Sequence, residues 1–287
     1  MGELTGDSPA PAGRAVDPAV RFPPLPQLAR IGLIVLLLGL AIAGWAVVDR
    51  RMAGMDAGPG TDPGAIGSYL AIWVVMMAAM MFPAIAPMVL TYARIQRGKR
   101  ERGLSVTTGA TCIFVAGYLV TWTVTGLGFY GVVIAARAVD LGGITWDATG
   151  RYVAGGVILA AGLYQFTPLK QTCLTKCRDP FLFLLTSWRS GRTGALRMGF
   201  EHGFWCVGCC WALMAALFAL GVMSVGWMAF IAALIAIEKL LPWRLLANRG
   251  IAVVLLALGI SIALVPDKVP GLTIPTPTDH HAVMVDM

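Results

Sequence analysis

The sequence predicts an all-α, polytopic transmembrane helix bundle of about seven spans, N-terminus inside and C-terminus outside. Hydrophobic residues make up 57% of the 287 positions and charged residues only 13%, about half the charge of an ordinary soluble domain. Long apolar runs recur, each near the ~20 residues that a helix needs to cross a hydrocarbon core. Lys and Arg are concentrated in particular loops, as in loops retained on the cytoplasmic side of a membrane. The net charge of +7 is therefore an orientation signal, and no nucleic-acid partner is expected.

Residues 1–29 are rich in Pro, Ala and Gly and read as a mobile N-terminal arm, too long and too proline-rich for a cleaved signal peptide. A transmembrane helical domain follows over 30–265, then an extracytoplasmic tail over 266–287. The first span, Ile31 to Val48, is a featureless anchor. A glycine-rich loop from Asp49 to Gly67, containing Met52, Met55, Asp56 and Asp62, leads to the second span, Ser68 to Tyr92. That span carries Met76, Met77, Met80 and Met81, then Pro83, Pro87 and Met88. The prolines free backbone carbonyls and are expected to kink it. The strongest basic run, Arg94 to Arg102, places the next loop in the cytoplasm.

The third span, Val106 to Ala136, holds Gly109, Gly117, Gly126, Gly128 and Gly131, small residues that let helices approach closely in a membrane. Cys112 lies alone there and reads as a small hydrophobe. A neutral loop with Arg137, Asp140, Asp147 and Arg151 follows. The fourth span, Tyr152 to Phe166, is short and must extend toward Leu169 to cross. The segment from Thr167 to Arg197 has six Lys or Arg against one Asp and reads as a cytoplasmic loop. Within it, the apolar piece from Phe181 to Trp188 is too short to span and is expected along the interface. The fifth span, Met198 to Val222, turns at Met223 and Ser224 into the sixth, Val225 to Leu240. The seventh is Gly250 to Val265. The tail contains Asp279, His280, His281 and Asp286.

The fifth span carries the chemistry. Glu201, His202, Cys206, Cys209 and Cys210 fall within ten positions, and ionisable groups inside a span are costly enough to imply use. Residues four apart share a helix face, so His202, Cys206 and Cys210 form a column with Cys209 beside it. Five of the six cysteines lie between Cys173 and Cys210, unlike the spread of a secreted disulfide framework. Cys173 and Cys177, four apart, would face the same way on a helical turn and could share an ion.

Thiols, imidazole and the thioethers of Met77, Met80 and Met81 suit a soft transition metal, above all Cu(I). Zinc would leave the methionines unused. The expected ligands are Cys206, Cys209, Cys210, His202, Cys173, Cys177, Met77, Met80 and Met81. Glu201 and Glu238 would stand behind them. Cys206 falls about 12 Å in from Met198 at 1.5 Å per residue, so the pocket is expected in the inner half of the bilayer. Cys173 and Cys177 would lie at its cytoplasmic mouth.

Four motifs carry a resemblance: MMAAMMFPAIAPM at Met76 to Met88, PLKQTCLTKCRDP at Pro168 to Pro180, GFEHGFWCVGCCWALM at Gly199 to Met214, and EKLLP at Glu238 to Pro242. The chain resembles, over roughly Ala65 to Val265, a family of bacterial integral-membrane proteins described as predicted metal-binding and grouped as a domain of unknown function. The resemblance implies a multi-pass protein of the bacterial inner membrane that handles a metal ion. Two alternatives stay open. One is a quinone-coupled thiol–disulfide membrane oxidoreductase using Cys173, Cys177 and Cys209. The other is a structural subunit with partners in a larger membrane complex. No phosphate-binding loop, hydrolase serine motif or HExxH zinc motif is present, and no catalytic residue is assigned.

Overall fold

A computed structural model describes residues 25–52, 64–138, 150–220, 224–266 and 269. Expectations placed on most of the N-terminal arm, on Met55, Asp56 and Asp62, on Asp140 and Asp147, on Met223 and on the tail residues Asp279, His280, His281 and Asp286 lie outside these. The described residues form helices and no strand: α1 (Gln27–Met52), α2 (Ile66–Glu101), α3 (Ala110–Ala138), α4 (Arg151–Tyr164), α5 (Pro168–Arg178), α6 (Pro180–Ser187), α7 (Gly191–Leu220), α8 (Val225–Leu240) and α9 (Arg244–Leu264).

Among the described residues, five helices are long and apolar enough to cross a membrane: α1, α2, α3, α7 and α9. The pair α4 and α5 would make a sixth span if counted together, but the two are bent by 67°. Helix α8 has 16 residues, short of the usual spanning length. The sequence reading of seven spans included α4 and α8 as full crossings, and neither reaches that length alone.

Helix α7 is the hub, packed against α3, α4, α5 and α8. Its closest partner is α3, and glycine on both helices is the reason. A Cβ at Gly199 would lie 1.9 Å from the Phe114 carbonyl oxygen, and one at Gly117 would lie 2.2 Å from that of Leu196. The Thr121 hydroxyl crosses the seam to donate to the Phe200 carbonyl at 2.9 Å. Residues 114 and 121 meet 199 and 203 respectively, so α3 and α7 run parallel. Helices α4 and α9 pair in the opposite sense. Gly155 abuts Gly259 and Ala263, while Gly162 abuts Leu255 and Leu256.

The central methionines of α2 face the protein interior: Met76, Met77, Met80, Met81 and Met88 are all buried. The helix carries both Pro83 and Pro87 without interruption. Trp73, also on α2, is fixed against α3, where its indole nitrogen donates to the Trp122 carbonyl at 2.7 Å and its ring covers Gly126.

The stretch from Thr167 to Arg197 departs most from expectation. It is not an open loop. Helix α4 stops at Tyr164 and does not run on toward Leu169. Pro168 opens a new helix, a position that needs no amide donor, and the Thr167 hydroxyl caps it by accepting from the Lys170 amide at 3.3 Å. Helix α5 buries Lys170, Cys173, Leu174 and Cys177 on one face. Asp179 ends α5 and caps α6 through the Leu182 amide at 3.0 Å. The short apolar α6 buries Phe183 and Leu184 and leaves Phe181, Leu182 and Leu185 exposed.

Candidate metal centre

Two helices build the centre. Cys206 lies midway along α7, and Cys209 is on the adjoining face three residues later. Helix α5 lies against this part of α7 and supplies Cys177. The Sγ atoms of Cys177, Cys206 and Cys209 all fall within 4.8 Å of one another, and all three residues are buried. With metal–sulfur bonds of about 2.3 Å, three sulfurs around a central ion lie about 4 Å apart. Closing on an ion thus asks only for a small contraction.

Cys210 is fully buried and its thiol donates to the Cys206 carbonyl at 2.8 Å; the Cys209 thiol does the same at 3.0 Å. Cys173 is packed onto Gly208, where any Cβ would stand 2.7 Å from its sulfur. Tyr164 braces that glycine by donating to its carbonyl at 2.6 Å. Five cysteines thus line the α5–α7 seam without a disulfide. Cys177 does not stand apart at an outer mouth, because α5 folds back and brings it to the α7 thiols. Cys112, by contrast, is exposed on α3 and not buried as a small hydrophobe would be.

His202 shares the α7 face with Cys206 and is fully buried. Its ring sits among Phe114, Tyr118 and Phe183 at centroid separations of 6.0, 5.9 and 5.2 Å. Among the described residues, neither ring nitrogen has a hydrogen-bond partner. An imidazole so enclosed leaves buried polar capacity unused, which a native core seldom tolerates without cause. Met77, Met80 and Met81 belong to the same continuous core as the thiols. Glu201 lies off this cluster: half-buried, it accepts from the Ser187 hydroxyl at 2.9 Å and so ties α7 to the end of α6.

Charged side chains missed as site residues surround the sulfurs. Lys170 is fully buried on α5, with its ammonium 2.8 Å from both carboxylate oxygens of Glu238. It also donates to the Cys209 carbonyl. Lys239 donates to the Cys206 sulfur at 2.9 Å, and the Tyr118 hydroxyl is 3.1 Å from the same atom. Arg178 reaches the carbonyls of Glu238 and Leu241. Glu238 and Lys239 are adjacent in sequence, but each faces a different partner, Glu238 the Lys170 ammonium and Lys239 the Cys206 sulfur. Lys170, one of the six basic residues between Thr167 and Arg197, lies buried on α5 instead of in a solvated loop. The adjacency of Lys170 to the Cys-bearing motif was the available signal; nothing in the sequence marked Tyr118.

Fold and site together define an all-helical protein with several helices able to cross a membrane and a buried three-thiol cluster of soft donors. Residues 70–262 match the family of copper chaperones, PpoB2, and the chain belongs to that family. No curated protein and no solved structure matches the chain. Family and thiol cluster agree in fitting copper binding.

Proposed function

We propose that this chain is a membrane-embedded copper chaperone that holds Cu(I) between α5 and α7. Cys177, Cys206 and Cys209 form the primary site. Cys173 and Cys210 extend it along the seam. His202, Met77, Met80 and Met81 provide further soft donors by which an ion enters or leaves. Glu238 acts indirectly by anchoring Lys170 beneath the Cys209 carbonyl. The observation that carries this reading is the three buried thiols within 4.8 Å of one another. Thiolates and thioethers select Cu(I), and a site without water shields it from oxidation.

The protein crosses the bacterial inner membrane seven times in this reading, N-terminus inside. Two features support that count. Because α3 and α7 run parallel, the chain must cross back once between them, and α4 with α5 is the segment available. Helix α8 retraces α7, since Lys239 near its end meets Cys206 while the two helices join across residues 221–224.

The direct test is chelator competition on purified full-length protein under anaerobic conditions. Replacing Cys177, Cys206 and Cys209 together by Ser should weaken Cu(I) binding by at least about a hundredfold, since even neighbours of metal ligands are often worth ten- to hundredfold. Unchanged affinity in a folded triple variant would overturn the site. A stoichiometric disulfide between α5 and α7 in the cell, with no copper bound, would favour thiol exchange instead.

A further inference from the structure

The copper site leaves the buried ammonium of Lys239 without a role. Lys239 is 7% exposed, and its ammonium is 2.9 Å from the Cys206 sulfur. A charge held out of water needs an opposite partner. Glu238, the buried carboxylate among the described residues, is taken at both oxygens by Lys170. Lys170 and Glu238 therefore cancel. What remains is a single positive charge fixed against one of the three thiols of the cluster, in surroundings that neither water nor salt screens well.

We propose that Lys239 is a charge filter that makes the thiol site accept a monovalent soft ion in preference to a divalent one. The inference rests on the reading that Cys177, Cys206 and Cys209 hold the ion, and it adds what selects among ions there. Sulfur donors alone do not decide the matter, because thiolates bind Zn²⁺ as well as Cu(I). The fixed ammonium does. For the same set of thiolates, repulsion from Lys239 grows in proportion to the charge of the entering ion, so a divalent ion meets twice the penalty of a monovalent one. The hydrogen bond to Cys206 keeps that charge at a set distance from the ion's position. Tyr118 touches the same sulfur at 3.1 Å but is neutral, and it serves as the internal control.

The test is a ratio, which a merely structural lysine would not move. Full-length protein in detergent is titrated with Ag(I), a monovalent soft probe, and separately with Zn²⁺, each against a chelator. Lys239→Gln should shift the zinc-to-silver affinity ratio toward zinc by about tenfold or more. Lys239→Arg, which keeps the charge, should hold the wild-type ratio, and Tyr118→Phe should also leave it in place. If Lys239→Gln does not fold, Lys239→Leu takes its place as the neutral variant. A neutral variant within about twofold of the wild-type ratio overturns the filter, as does an arginine variant that shifts as far as the neutral one. Wild-type protein that binds Ag(I) no better than the triple serine variant removes the thiol site itself, and the filter with it. The two failures are therefore told apart by the wild-type titration.

Discussion

Gly199 shows how much one hydrogen atom in place of a methyl can decide. Its α-carbon lies so near the Phe114 carbonyl that the added Cβ of alanine would sit 1.9 Å from the oxygen, and the obstacle is backbone that cannot rotate aside. Gly199→Ala should therefore force α3 and α7 apart and destabilise the protein by about 3 kcal/mol or more, at the upper end of overpacking. Gly128, on α3, has nothing among the described residues within 4 Å of its missing Cβ. Gly128→Ala should be neutral or slightly stabilising. Thermal unfolding of the two variants in the same detergent checks both; equal melting temperatures would contradict the packing. The sequence made α3 legible as a small-residue helix but not which glycines mattered. Gly117 and Gly126 meet a neighbour, whereas Gly128 and Gly131 face open space, and only the position of α7 and Trp73 separates them. The same holds for His202: its column with Cys206 followed from helical periodicity, but its aromatic enclosure depends on Phe114, Tyr118 and Phe183 from two other helices.

At the scale of the element, α5 is the part that charge obscured. Read along the chain, PLKQTCLTKCR is a basic stretch, and basic stretches flanking spans are usually loops. Read by helical spacing, Lys170, Cys173, Leu174 and Cys177 share one face, and the structure buries that face. A lysine can stand there only because Glu238, 68 residues away, meets it at both oxygens, a pairing that no local pattern announces. Glu238→Gln should leave Lys170 as an uncompensated charge and cost about 3–5 kcal/mol. The double variant Lys170→Met, Glu238→Met removes the charge with its partner and should recover most of that loss. If the single and double variants unfold alike in a denaturation series, the ion pair is not what seats α5. Because α5 carries Cys177, loosening it by Glu238→Gln should also weaken metal binding, whereas the double variant should retain it.

At the scale of the whole molecule, direction is set by pairs of helices. Helix α3 runs parallel to α7, with Phe114 beside Gly199 and Thr121 beside Gly203. The chain therefore leaves α3 at one face of the bundle and begins α7 at the other. Something between Ala138 and Gly191 has to return it. Helix α4, 14 residues long, covers about 21 Å at 1.5 Å per residue, less than the ~30 Å hydrocarbon core. In the seven-span proposal, the bent segment through Thr167 and α5 supplies the rest. The charges agree, since Arg94 to Arg102 before α3 and Arg189 to Arg197 at the start of α7 fall at the same end of this parallel pair. Reporter fusions after Gly103 and after Ser190 should both read as cytoplasmic, and a fusion after Ala138 should read as external. A fusion after Ala138 on the same side as the one after Ser190 would mean that α4 and α5 enter the membrane and return without crossing. The parallel register of α3 and α7 could not then hold, and the thiol seam that it positions would have to be rebuilt.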